Sequence, residues 1–300
     1  MKVFIYHPRI REEYVRIFDE LRPDIPLSDD PKEADVIFGW KVPGEYLHPN
    51  LKWYQSMGAG VDDVIPYLKD RDILLTRVED LFAEKMAEYV LAYMLALSQD
   101  VKSIFKQQEE KEWLPFTPGL LASQSVLILG VGSIGKRIGF LLNQVGMTVY
   151  GLARKTTAAE GFKYIYSSKE DLVNVYGKID FVVNVMPLTE ATRDFLSGTE
   201  FDLMVKNPYL INIGRAHTLV EEDTYQALKS GQLKGAILDV FWEEPLPLDS
   251  SWWQLGNVIV TPHLSGPSVP KEVAQFFFAN YDCFIKKQDL KGLVDFTAGY

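Results

Sequence analysis

Val126-Leu127-Ile128-Leu129 runs directly into Gly130-Val131-Gly132-Ser133-Ile134-Gly135, an apolar strand meeting a Gly-x-Gly-x-x-Gly turn that opens a helix. The first glycine permits the tight turn, the second lets the backbone approach a pyrophosphate, and the third lets the helix lie close on the strand. N–H groups and the dipole at the start of that helix favour phosphate charge. A glycine triplet alone is a weak sign, because a turn between any strand and helix can use the same residues. Here both flanks are right, so the stretch predicts a dinucleotide-binding unit.

Working outward, further apolar runs fall at 148–152, 181–185, 209–213, 236–240 and 258–261, with helical stretches between most of them. That alternation predicts a doubly wound parallel Rossmann sheet. Upstream, runs at 3–6, 36–40, 51–55 and 73–78 read as parallel strands of a separate α/β unit. Between the two, Met86, Val90, Tyr93, Met94 and Leu97 recur at helical spacing and predict one long bridging helix over 79–110. A closing helix over 269–287 is free to return to the first unit. The expected organisation is an α/β chain in which a dinucleotide domain, 96–267, is inserted in a smaller flavodoxin-like α/β substrate domain made of 1–95 and 268–300.

Three hundred residues with 47% hydrophobic content leave room for two such domains. Lys and Arg total 31 against 41 Asp and Glu, a net charge of -10 with no long basic run, which argues against nucleic acid and anionic membrane as partners. A site for a small anion must therefore supply its own cation. The single Cys283 has no intrachain disulfide partner and, among Phe276, Phe277, Phe278 and Phe284, reads as a buried structural thiol. No secretory pattern and no run of membrane-spanning length occur, which places the protein in the cytoplasm. No His, Cys or carboxylate cluster has metal-ligand spacing, so no metal is expected.

The second strand of the dinucleotide domain ends Gly151-Leu152-Ala153-Arg154-Lys155-Thr156-Thr157. A domain that prefers NAD places an acid here for the ribose hydroxyls. Ala153 followed by two cations suits a 2′-phosphate instead, with Arg154 gripping it through paired hydrogen bonds and Lys155 adding charge. NADPH is the predicted cofactor, with NADH as the second choice. The duller reading is a solvated basic turn.

Three segments follow later strands of the same sheet, where open α/β sheets build their sites. They are Asn212-Ile213-Gly214-Arg215-Ala216, Asp239-Val240-Phe241-Trp242-Glu243-Glu244-Pro245 and Thr261-Pro262-His263-Leu264-Ser265-Gly266. Reduction of a carbonyl beside a carboxylate needs a cation for the carboxylate, a proton donor for the carbonyl oxygen, and an acid that keeps the donor protonated. Arg215, His263 and either Glu243 or Glu244 supply one of each.

With these motifs in this order, the chain resembles the D-isomer-specific 2-hydroxyacid dehydrogenases across nearly its whole length. The resemblance narrows to the glyoxylate/hydroxypyruvate reductase A type through Met57-Gly58-Ala59-Gly60-Val61-Asp62, Met86-Ala87-Glu88-Tyr89, Glu244-Pro245-Leu246-Pro247, Val294-Asp295 and Gly299-Tyr300. It implies that Arg215 orients the substrate, that His263 delivers the proton as hydride reaches the carbonyl carbon of a small anionic 2-keto acid, and that Glu244, the acid before proline, pairs with His263. Backbone N–H groups of Gly58, Ala59 and Gly60 would face the substrate carboxylate. Ser133 and Ile134 would contact the pyrophosphate, and Asp239, Ile213 and Gly214 would lie against the nicotinamide ribose. A homodimer built on the nucleotide domain and the long helix is also implied, as is a cleft between the domains that closes over substrate and cofactor.

Duller roles remain for each: His263 closing a loop behind Pro262, Arg215 pairing with a surface acid. His7 and His48 read as loop residues beside Pro8 and Pro49, and His217 has no motif role. Trp40, Trp113, Trp242, Trp252 and Trp253 are expected to pack rather than bind substrate. Ala216 departs from the family, which has Gly there; if the position needs positive φ, alanine strains the loop of Arg215. The resemblance also extends to C-terminal-binding-protein corepressors, so a nucleotide-gated interaction protein is the competing reading, and a same-family dehydrogenase for another 2-hydroxy acid stands beside it.

Overall fold

The chain starts with β1 (Val3–Tyr6), α1 (Arg11–Leu21), β2 (Val36–Gly39), β3 (Trp53–Ser56), the short α2 (Ile65–Leu68) and β4 (Leu74–Thr76). The computed structural model describes residues 1–155 and 158–297; Thr156, Thr157 and the closing Gly299-Tyr300 motif lie outside them. The four strands pair in parallel in the order β1-β2-β3-β4. Val3 also forms a parallel bridge to Leu27. Counting Leu27 as a strand position gives the order 2-1-3-4-5, which is flavodoxin-like. Every residue of β2 and β3 is buried, as expected of a parallel sheet covered on both faces.

Next come α3 (Ala83–Ser98) and α4 (Val101–Glu110). They replace the single helix expected over 79–110, because Asp100 adopts a left-handed backbone, φ 48°, and breaks it; Asp tolerates that region better than most side chains. The Gly119 N–H donates to the Ser98 carbonyl at 2.8 Å and Gln99 donates to the Gly119 carbonyl at 2.9 Å. The chain thus leaves and returns at one corner, and α4 belongs to an arm.

The chain divides into Met1–Leu81 with Ser268–Tyr300, and Phe82–Pro267. The boundary falls ahead of α3 rather than at residue 95, because α3 packs along α5 (Ser133–Gln144) and Glu84 forms a two-pronged pair with Arg137 of that helix.

The second unit holds β5 (Ser125–Leu129), β6 (Thr148–Leu152), β7 (Tyr164–Tyr166), α6 (Val173–Tyr176), β8 (Phe181–Asn184), α7 (Gly198–Asp202), β9 (Tyr209–Asn212), α8 (Glu221–Ser230), β10 (Gly235–Leu238) and β11 (Val258–Val260). Its strands form one parallel sheet in the order β11-β10-β9-β8-β5-β6-β7. From β5 the chain winds out to β7, a short edge strand the sequence did not announce, then crosses back to β8 and winds out to β11. The switch point lies between β5 and β8, where doubly wound sheets bind ligands. Leu127, Leu129, Val182, Leu210 and Leu238 carry the strands into a core completed by Phe201, Leu228 and Trp252.

The last helix, α9 (Pro270–Ile285), belongs to the first unit. Phe277 stacks on Trp53 at 5.2 Å and on Phe38 at 4.6 Å. Asn280 donates to Gln55 Oε1 at 2.9 Å, Thr76 donates to the same oxygen at 2.8 Å, and Trp53 donates to Thr76 at 2.7 Å. Cys283 lies off this inward stripe and is half-buried rather than buried. Among the tryptophans Trp252 is buried, but Trp253 is half-exposed and Trp113, in the arm after α4, is 94% exposed.

Candidate active site

At the glycine turn, Gly130 has φ 103° and a Cβ there would meet the Val185 and Met186 backbone at 3.1 Å. A Cβ on Gly135 would fall 2.1 Å from the Gly130 carbonyl, whereas one on Gly132 meets nothing within 4 Å. The turn is closed toward the sheet and open at Gly132, where α5 begins with no side-chain cap. Backbone donors with room in front of them fit a pyrophosphate. Ser133 is exposed and Ile134 half-buried at that helix start.

Beyond β6, the Ala153 N–H donates to Tyr166 O of β7 at 3.0 Å, and Arg154 and Lys155 stand exposed after it. This is the edge where an adenosine ribose would lie if the turn holds the pyrophosphate.

At the end of β9, Ile213 and Gly214 are buried and Arg215 is half-buried. A polar network the sequence reading missed fixes the loop. Asn184, fully buried at the end of β8, donates to Asn212 Oδ1 at 2.8 Å and to Thr218 Oγ1 at 2.7 Å. Thr218 donates to the Arg215 carbonyl at 2.7 Å, and Asn212 Oδ1 accepts the Gly214 N–H at 3.2 Å. Two Asn residues ending adjacent buried strands were the available signal, since buried amides need partners. Arg215 itself is extended, with φ −135° and ψ 139°. Ala216 opens a 3-10 turn and is not among the positive-φ residues, so the alanine brings no backbone strain.

At the neighbouring ends of β10 and β11, Glu244 Oε2 lies 2.9 Å from His263 Nδ1, and Glu244 Oε1 accepts the Phe241 N–H at 3.1 Å. A carboxylate accepts, so Nδ1 carries the proton in this pair. The imidazole is 44% exposed. Asp239 is 1% exposed; its carboxylate accepts from Thr261 Oγ1 at 2.6 Å and from the Leu264 and Ser265 N–H groups at 2.9 Å each. Those bonds aim it at the loop of His263.

In the first unit, the Gly58 N–H donates to Ser56 Oγ at 3.2 Å. That bond engages the Gly58 N–H within its own turn. The Gly58 carbonyl is tied to the Val78 N–H at 3.0 Å, and the Trp40 ring lies against Gly58, 2.2 Å from where a Cβ would stand. His7 Nδ1 accepts the N–H groups of Arg9 and Ile10, the loop role read for it. His48 meets the Ala34 carbonyl at 3.0 Å. Among the described residues there is no group of His, Cys, Asp and Glu that could hold a metal, and no helix long and apolar enough to cross a membrane.

The family model for the NAD binding domain of D-isomer specific 2-hydroxyacid dehydrogenases matches residues 91–265. Over 314 residues, covering 100% of both chains, the sequence is 30% identical to glyoxylate/hydroxypyruvate reductase A of Serratia proteamaculans (strain 568). Among solved structures, the NADPH-dependent glyoxylate/hydroxypyruvate reductase of Sinorhizobium meliloti in complex with NADP and sulfate is similar with a TM-score of 0.92 at 29% identity, over 100% of this chain and 99% of that one. A D-isomer specific 2-hydroxyacid dehydrogenase of Xanthobacter autotrophicus Py2 in complex with NADPH and MES matches with a TM-score of 0.92 at 28% identity, again over 100% and 99%.

Proposed function

The chain belongs to the D-isomer specific 2-hydroxyacid dehydrogenases, and from that premise we propose that it uses NADPH to reduce a small 2-keto acid to the 2-hydroxy acid, glyoxylate to glycolate or hydroxypyruvate to D-glycerate. The observation that carries this reading is the Glu244–His263 pair at the sheet edge that also presents Arg215.

In this mechanism Arg215 binds the substrate carboxylate and orients the carbonyl. NADPH, when held there, would supply the hydride for the carbonyl carbon. His263 gives its Nε2 proton to the carbonyl oxygen as charge develops there, and Glu244 holds the ring by its Nδ1–H and stabilises the protonated form. The uncapped start of α5, with Ser133 and Ile134, takes the pyrophosphate. Arg154 and Lys155 take the 2′-phosphate, a reading supported by the NADP and NADPH in the two similar structures.

A homodimer is part of the proposal. No residue of α4 is buried, and the arm presents Phe105 at 61%, Trp113 at 94% and Leu114 at 58% exposure. Large apolar side chains grouped in this way suit a second copy of the chain.

Incubation with hydroxypyruvate and NADPH should yield D-glycerate. A folded protein that consumes NADPH with no small 2-keto acid defeats the reading.

A further inference from the structure

Tyr89, the last residue of the Met86-Ala87-Glu88-Tyr89 segment, has no part in the mechanism above. It lies on α3, 9% exposed, and its hydroxyl is 2.6 Å from Thr261 Oγ1. Thr261 Oγ1 is in turn 2.6 Å from Asp239 Oδ1. Asp239 only accepts here, from Thr261 and from two backbone N–H groups. Thr261 has one proton and gives it to Asp239, so Tyr89 donates to Thr261. Burial raises the pKa of the Tyr89 hydroxyl well above its ordinary value, which keeps the donor protonated across working pH.

The chain of donors ends at the Asp239 carboxylate, which holds the loop of a strained residue. His263 has φ 52°, a left-handed backbone that is disfavoured for a residue other than glycine. Such a conformation persists only where its surroundings over-determine it. Asp239 provides that restraint: its carbonyl accepts the His263 N–H at 2.9 Å, and its carboxylate takes the next two N–H groups of the loop.

We propose that Tyr89 is a positioning residue for the proton donor, acting through Thr261 and Asp239 to hold the His263 loop in its left-handed pose. The inference rests on the assignment of His263 as that donor. It also gives α3 a role in the chemistry, because that helix reaches the catalytic loop at Tyr89 and α5 at Glu84.

Tyr89→Phe removes one hydroxyl and keeps the ring. With glyoxylate and NADPH, kcat should fall about tenfold, while KM for NADPH and the thermal midpoint stay near wild type. Thr261→Val should cost at least as much, Thr261→Ser should retain turnover, and the Tyr89→Phe/Thr261→Val double variant should be no slower than Thr261→Val alone. Wild-type kcat in Tyr89→Phe, or losses that multiply in the double variant, overturns the relay. If Tyr89→Phe does not fold, the contrast of Thr261→Ser with Thr261→Val decides, and equal kcat in those two overturns it. If the wild-type protein turns over no 2-keto acid, the proposed function fails, and the relay is read separately in the His263 imidazole NMR signals. Those should move in Tyr89→Phe, and unchanged signals count against the relay.

Discussion

Glu244 and His263 are 19 residues apart in the chain, yet Oε2 of one lies 2.9 Å from Nδ1 of the other. Two loops at the ends of adjacent parallel strands bring them together. The second carboxylate oxygen is held by the Phe241 N–H, so the acid is fixed before it meets the imidazole. A fixed acid on Nδ1 gives the ring one orientation, and Nε2 is the atom the proposed mechanism uses.

Replacing that ring should stop the chemistry and spare binding. His263→Ala is expected to lower kcat by about 100-fold to 10,000-fold with NADPH affinity unchanged, as read from nucleotide fluorescence and steady-state rates. Undiminished kcat removes His263 from the mechanism.

Arg154 should discriminate between the two nicotinamide cofactors. Arg154→Ala removes a charged grip on the 2′-phosphate, so KM for NADPH should rise about tenfold to 100-fold while KM for NADH stays level. Parallel changes for both cofactors would assign Arg154 to something other than the phosphate.

The glycine turn was legible because each position asks for a residue type, and Gly130 and Gly135 meet backbone where a Cβ would stand. Parallel strands buried on both faces were equally plain as apolar runs. Other features left little trace. Asp100 breaks the long helix without a glycine or proline, so helical periodicity ran straight through it. The Asn184, Asn212 and Thr218 network depends on strand register, which single residues do not encode. Tyr89 has the spacing of a core residue, and only its contact with Thr261, 172 residues later, distinguishes it. Trp113 reads as core by residue type, and its exposure follows from lying on an arm.

The first unit should depend on its last helix. Phe277 is fully buried between Trp53 and Phe38, so Phe277→Ala should cost about 3–5 kcal/mol of stability by removing a large ring from a filled core. Urea unfolding checks this; a loss under about 1 kcal/mol contradicts the described core.

Glu200 should make stability depend on pH. Burial pushes its pKa up, but the Lys169 ammonium at 2.9 Å and the Ser197 donors at 2.8 Å outweigh that and hold it below the usual value. A folded-state pKa below the unfolded one contributes stability that is full above the unfolded value, about 4.3, and is lost as pH falls through the folded value. Glu200→Gln should therefore be less stable than wild type by about 1–2 kcal/mol near neutral pH, with the gap narrowing in acid. A gap that is constant down to about pH 3 contradicts the assignment.

The most direct measurement of the central claim is a set of initial rates for glyoxylate, hydroxypyruvate and larger 2-keto acids, each with NADPH and with NADH. The two small acids should give the highest kcat/KM, at least about tenfold higher with NADPH than with NADH. Equal efficiency with both cofactors contradicts the role of Arg154 and Lys155, and no turnover with any 2-keto acid contradicts the account as a whole.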